Sequence, residues 1–356
     1  MPVGGDIAAI VATAVPGAVI CLAPGEHKVT ATIRPLTGQT LRGTGDSAPT
    51  LTCSVDYCID GLGGGTGVTV SNLILQGAGV GDLRTTDGWT VSQVEATTAG
   101  EAGLKLQGAN VTARDVYALA DGRFGIVAKD ASDLVIDHAL VAGSPTDPSF
   151  GNGYSSGLKL NGVNGATISH STLSDVGGGA ALWLDNNTQR FTLSANTIER
   201  SAHDAIRIEI SCTGTIEGNT VEGAGGVGID LFNAHDITVS GNAVSGAETW
   251  PIRMLGNGRS NGPGGGACLE QGSFPTVRDV ADGNRMTLSS GNTVGIQYDG
   301  GVLQDLSWTA NRYVAPNCQD AAWAWWDGSS THQASFSGWQ GFGQDVAGSC
   351  TGASPT

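Results

Sequence analysis

The chain has 356 residues, of which 56 are glycine and only 14% are charged, with a formal net charge of -16. Glycine at more than twice its usual share of about 7% is too costly in helix interiors for a helical bundle. The lack of a third-residue glycine period excludes collagen, an ordinary apolar fraction of 40% with sparse charge excludes disorder, and the negative net field argues against a nucleic-acid partner.

In chain order, the segment DIAAIVATAVPG from Asp6 predicts a short amphipathic helix within residues 1–17, a cap over the open edge of whatever follows. The apolar run AVICLA then begins a series of short strands. Strand-like segments recur from Asn72, Gln93, Asp115, His138, Ser171, Asn196, Asn219 and Asn242, at steps of 21, 22, 23, 33, 25, 23 and 23 residues. A second series (GLKLQ, GIVAK, GLKLN, ALWLD, AIRIE, GIDLF, PIRML) starts at Gly103, Gly125, Gly157, Ala181, Ala205, Gly228 and Pro251. Both series jump between His138 and Gly157, so an insertion occupies 143–156. A common period of about two dozen residues, with several short alternating strands per unit and glycine or asparagine turns, indicates a β-solenoid. The leucine ladder and helical return of leucine-rich repeats are absent. The predicted fold is all-β: one right-handed parallel β-helix domain over 1–356, with coils over 18–315, insertions at 143–156 and 256–267, and a C-terminal cap over 316–356. Asn196, Asn219 and Asn242 recur at one turn, where stacked amides bond along the solenoid. Trp323, Trp325, Trp326 and Trp339 are read as cap residues. No run of about 18 apolar residues occurs, so no membrane span is expected.

The seven cysteines show no CxxC pair, which argues against a zinc ribbon or a thioredoxin-type motif. Cys53 and Cys58 are near enough for a local bridge, and Cys268, Cys318 and Cys350 share the loop-rich end. Cys21 and Cys212 read as buried free thiols. A secreted protein is expected, its signal peptide lying outside this chain.

Side chains alternate along a strand, so the second series defines two outward columns. One reads Lys105, Val127, Lys159, Trp183, Arg207, Asp230, Arg253, and the other Gln107, Lys129, Asn161, Asp185, Glu209, Phe232, Leu255. Asp185 and Glu209 occupy equivalent positions in consecutive coils, and neighbouring strands lie about 4.8 Å apart. That spacing suits a retaining glycosidase, whose carboxyl groups stand about 5–5.5 Å apart; an inverting pair needs about 6.5–9.5 Å. Three of the four lysines fall on the same face, joined by Arg207 and Arg253. Trp183 lies beside the acids, and the insertion carrying Tyr154 precedes the coil of Lys159.

The stretch from Gly157 to Val221 resembles bacterial secreted β-helix proteins related to polysaccharide-active enzymes, and the opening AVICLAPGEHKVTATIRPLTGQTLRGTG resembles the first coils of pectate-lyase-like proteins. ALWLDNN is similar to a G-I/L-W-x-D segment, and AIRIEIS to a G-I-x-x-E-I/V-S segment, of β-xylosidase-type β-helical glycoside hydrolases. That resemblance implies Asp185 as nucleophile and Glu209 as acid/base, although Arg207 stands where the family segment usually has an aromatic.

The expected function is retaining glycoside hydrolysis of a poly- or oligosaccharide, possible anionic groups included. Asp185 and Glu209 are the catalytic pair. Lys129, Tyr154, Lys159, Asn161, Trp183, Asn186, Asn187, His203, Asp204, Arg207, Asp230 and Arg253 are the substrate-binding candidates. No metal or cofactor is expected. The alternative is a polysaccharide lyase or uronate C5-epimerase with Lys159 or Arg207 as base, in which Asp185 and Glu209 hold Ca²⁺. A non-catalytic glycan-binding solenoid is the third reading.

Overall fold

The computed structural model describes residues 1–97, 100–143, 155–260 and 266–352. They form two compact units, Met1–Gly178 and Gly179–Thr356, and in each the chain winds through three parallel strand faces per coil. In the second unit the first face is built by Leu182–Asp185, Ile206–Glu209, Ile229–Phe232, Ile252–Gly256, Val294–Tyr298 and Trp323–Trp326. Its register is one residue on one residue: Leu182 opposite Ile206, Ile206 opposite Ile229, Ile229 opposite Ile252. These four residues, with Leu184, Ile208, Leu231 and Met254 two positions on, are fully buried and make two apolar columns down the coil interior. Burying each such side chain contributes about 1.5–3 kcal/mol, which is why the alternation sets the register so firmly.

Small residues head this face for a steric reason. A Cβ on Gly228 would stand 2.5 Å from the Pro251 carbonyl oxygen and 2.5 Å from a Val244 methyl carbon. The corners are less glycine-dependent than the composition suggests. At one recurrent corner of the first unit Asn72, Gln93, Asp115, His138 and His170 all adopt positive φ, between 49° and 54°. Asn and Asp tolerate this region best among residues with a side chain.

The expected N-terminal helix is Ile7–Thr13. Asp6 caps it by accepting from the Ala9 N–H at 3.0 Å, and Ile7 and Val11 face inward. At the other end, Trp323–Trp326 and Ser349–Gly352 still pair in parallel with the coils before them, so solenoid strands extend into 316–356. A hairpin with Thr331–Ala334 and a second helix, Phe336–Gly341, complete that end. Trp323 and Trp339 are fully buried there, whereas Trp325 and Trp326 are half-buried.

Three disulfides form: Cys53–Cys58, Cys212–Cys268 and Cys318–Cys350. Cys212 is therefore not a free thiol. It bonds a cysteine 56 residues away because the aperiodic segment after Gly256 folds back against the coil of Cys212. Cys21 is free and half-buried.

Candidate active site

The Asp185–Glu209 pair lies at the end of the first strand face of the second unit. Leu184 pairs with Ile208, which puts Asp185 and Glu209 next in the same register, one ladder step of about 4.8 Å apart. Both are buried. Asn186 follows in a left-handed conformation, φ 52°, and its N–H donates to Asp185 Oδ1 at 2.8 Å. The carboxylate is thus held by its own turn.

Glu209 is held by two guanidinium groups. Arg207, two residues before it on the same outward side, places Nε 3.2 Å from Oε2. Arg259 reaches Oε1 from the segment after the strand Ile252–Gly256. Arg259 was not among the sequence candidates. It lies in an aperiodic loop, where no register assigns a side chain to a face. That loop is anchored to the coil by the Cys212–Cys268 disulfide, by Asn187 Oδ1 accepting from the Cys268 N–H at 3.3 Å, and by His235 Nε2 at 3.1 Å from the Cys268 carbonyl. Ile210, Cys212, Cys268 and Phe274 form a small apolar cluster beneath it.

The guanidinium of Arg207 also lies 4.8 Å from the Phe232 ring centre and 5.7 Å from that of Trp183, a cation–π arrangement. Trp183 is 6% exposed, so in this arrangement its ring supports Arg207 and is not an open sugar platform. Arg207 further approaches Asp204, at 3.4 Å. Asp204 Oδ1 accepts from the Val227 N–H at 2.8 Å. Burial first, and the Asp230 carboxylate second, push the Asp204 carboxyl above the usual aspartate range. Asp230 is fully buried and makes two bonds of 2.9 Å with Arg253, whose other nitrogen donates to Gln297 at 3.1 Å. Burial works against the Arg253 charge, but the Asp230 carboxylate more than offsets it and holds that guanidinium above its ordinary value.

The remaining candidates distribute as follows. Asn187 fastens the loop through its amide oxygen, and His203 is exposed in the turn before Asp204. In the first unit, Lys129 pairs in register with Asn161, and Val127 with Lys159; Lys129 is exposed, Asn161 half-buried and Lys159 buried. Tyr154 lies outside the described residues. The structure thus brings Trp183, Asp204, Arg207, Asp230 and Arg253 into one charged network around Glu209, with Asp185 one strand away.

Among the carboxylates of this face, Asp230 and Glu209 are a poor fit for Ca²⁺. Both Asp230 oxygens are bonded to Arg253 and both Glu209 oxygens face guanidinium groups, whereas Ca²⁺ takes six to eight oxygen ligands.

The family model described as "Right handed beta helix region" matches residues 149–303. No curated protein sequence matches the chain. Among solved structures, the chain is similar to the A-module of a mannuronan C-5 epimerase from Azotobacter vinelandii, at 15% identity and TM-score 0.74, covering 99% of this chain and 96% of that one. A mannuronic acid specific polysaccharide family 6 lyase from human gut microbiota aligns at 14% identity and TM-score 0.62, covering 85% and 76%. The tailspike protein of an E. coli bacteriophage, in complex with a pentasaccharide, aligns at 9% identity and TM-score 0.55, covering 82% and 60%. At these identities the likeness shows the fold, a right-handed parallel β-helix.

Proposed function

We propose that the protein is a carbohydrate-active enzyme that cleaves a glycosidic bond with retention of configuration. The observation that supports this reading is that Asp185 and Glu209 directly follow Leu184 and Ile208, which pair on adjacent strands; a spacing of one strand is compatible with the short separation a nucleophile and its acid/base partner require. Asp185 attacks the anomeric carbon while Glu209 gives its proton to the leaving oxygen. The glycosidic bond breaks, and the sugar is left as an ester on Asp185. Water then loses a proton to Glu209 and displaces Asp185, and the sugar leaves with its original configuration. Arg207 and Arg259 approach the two oxygens of Glu209 and so fix the position of that side chain beside Asp185. Three disulfides fit an oxidising compartment, where extended glycans are met.

A second reading, elimination or C5 epimerisation on a uronate, is favoured by one observation. Two guanidiniums converge beside the acid pair, where they would neutralise a substrate carboxylate. The epimerase and lyase among the similar folds act on such sugars by their names. A glycan panel with product mass analysis separates the readings. Hydrolysis adds a water to the products, and elimination leaves an unsaturated, ultraviolet-absorbing end. Asp185→Asn and Glu209→Gln are each expected to lower kcat by about a thousandfold or more. Full activity in both variants would remove this site from consideration.

A further inference from the structure

The geometry points to a transition-metal site in the first unit, built by Asp137, His138 and His170, that takes a divalent ion of the zinc kind. It is independent of the glycan chemistry proposed above. The strand Phe124–Asp137 ends on Asp137, and the strand Asn164–Ser169 runs beside it with Ser169 opposite Asp137. Each strand is followed by a histidine in the left-handed region, φ 53° at His138 and 49° at His170. The coil period therefore sets one imidazole over the other. The rings are stacked with centroids 5.0 Å apart and planes 20° from parallel.

Both rings turn the same nitrogen toward the same carboxylate. His138 Nδ1 lies 3.0 Å from Asp137 Oδ2, and His170 Nδ1 lies 2.9 Å from Oδ1. The three donor atoms all fall within 4.8 Å of one another. Ligand atoms sharing one zinc ion stand about 2.0–2.2 Å from it, hence within about 4 Å of each other, so small rotations of exposed rings complete the site. The rings have that freedom: their side chains are 56% and 57% exposed, against 12% for Asp137. The carboxylate is already oriented from behind, because the Ser169 hydroxyl donates to Asp137 Oδ1 at 2.8 Å. Such outer partners are a regular feature of metal sites.

Arg114 is the one competing cation the described contacts give Asp137. Its Nε is 3.4 Å from Oδ2, and its side chain is 55% exposed, so it can move into solvent. Asp115 occupies the same left-handed corner one coil earlier, φ 52°, and is exposed. It offers a further carboxylate in the same column.

Two imidazoles and a carboxylate are a donor set for Zn²⁺, Ni²⁺ or Cu²⁺, not for Ca²⁺ or Mg²⁺, which prefer oxygen ligands. The ion would use the Nδ1 lone pairs, each ring keeping its proton on Nε2, with water filling the open positions. It would link two successive coils at an exposed corner, and binding to the folded form alone would raise stability by mass action.

Calorimetric titration of the full chain with Zn²⁺ alone tests this. Saturable binding is expected, with a rise in Tm that Ca²⁺ does not reproduce. His138→Asn and His170→Asn should each weaken Zn²⁺ binding at least about tenfold, the lower end of what losing even an outer partner of a ligand costs. Because both rings are exposed, these variants should keep the Tm of the metal-free protein. Cu²⁺ at the same site should show nitrogen couplings from two imidazoles by electron paramagnetic resonance. Absence of saturable Zn²⁺ binding would overturn the proposal. So would undiminished binding in the His138→Asn/His170→Asn double variant, which would move the ion elsewhere, for example to the His235, Asp236 and Glu270 cluster.

Discussion

Arg259 shows how a single side chain acts at this site. Glu209 has two oxygens, and Arg207 from its own strand meets only one of them. The other is met by Arg259, fifty positions along the chain. A hydrogen bond to a charged group contributes about 1.5–3 kcal/mol, equivalent to roughly one to two powers of ten in a rate. Arg259→Ala is therefore expected to lower kcat/KM by about ten- to a hundredfold on whichever glycan proves to be the substrate. Arg259→Lys should recover part of the loss, since it restores the charge without the fork geometry. Steady-state kinetics of the two variants check this. Trp183 illustrates the opposite lesson. Its position was legible from alternation, but its partner was not, because the depth of a ring beneath Arg207 depends on neighbouring coils.

At the scale of elements, the segment after Gly256 is the feature that modifies a regular coil. It carries Arg259, returns to Cys212 through a disulfide, and ends in an ion-pair cluster. In that cluster Arg278 bonds Asp236 at 2.6 and 2.7 Å and Glu270 at 2.6 Å. The Arg278 guanidinium, and after it His235, hold the Asp236 carboxyl down at about 2. A carboxyl depressed on folding adds stability that is fully present above its unfolded value of about 3.9 and is lost as pH falls toward 2. Thermal unfolding of the wild type should thus weaken between about pH 4 and pH 2, and Arg278→Ala should flatten that part of the curve. The groups are partly exposed, so added salt should shrink the effect.

Over the molecule as a whole, stability in a solenoid is a sum of coil and coil-to-coil terms. The second unit carries a continuous polar ladder through its interior. Asn219 Oδ1 accepts from Asn196 Nδ2 at 3.0 Å, Asn242 Oδ1 from Asn219 Nδ2 at 2.9 Å, Asn284 Oδ1 from Asn242 Nδ2 at 2.9 Å, and Asn311 Oδ1 from Asn284 Nδ2 at 3.0 Å. Asp345 ends the ladder, accepting from the Asn311 N–H at 3.0 Å and the Tyr313 hydroxyl at 2.6 Å. Removing an inner rung breaks bonds on both sides. Asn242→Ala leaves the Asn219 N–H without its acceptor and removes one bond from the Ile216 carbonyl and one from Asn284 Oδ1, which keeps the backbone N–H of residue 242. At about 1–3 kcal/mol for an orphaned buried group, a loss of about 1–3 kcal/mol is expected, measured by urea unfolding against the wild type.

The repeat in the amino-acid sequence by itself determined the strand register. A period near two dozen residues and alternation within each strand leave one way to bury Leu182, Ile206, Ile229 and Ile252 together, and that same register places Asp185 beside Glu209 and Trp183 beside Arg207. The ladder positions Asn196, Asn219 and Asn242 were readable for the same reason. What only the tertiary structure decided lies where the period stops. The pairing of Cys212 with Cys268, the reach of Arg259 to Glu209 and the fastening of the loop by Asn187 all depend on how an aperiodic segment closes back on the coils. So does the convergence of His138 and His170 on Asp137, since a strand pattern says which residues share a corner but not which way their rings turn. Local periodicity encodes contacts between equivalent positions of adjacent coils; contacts between inequivalent positions need the folded chain.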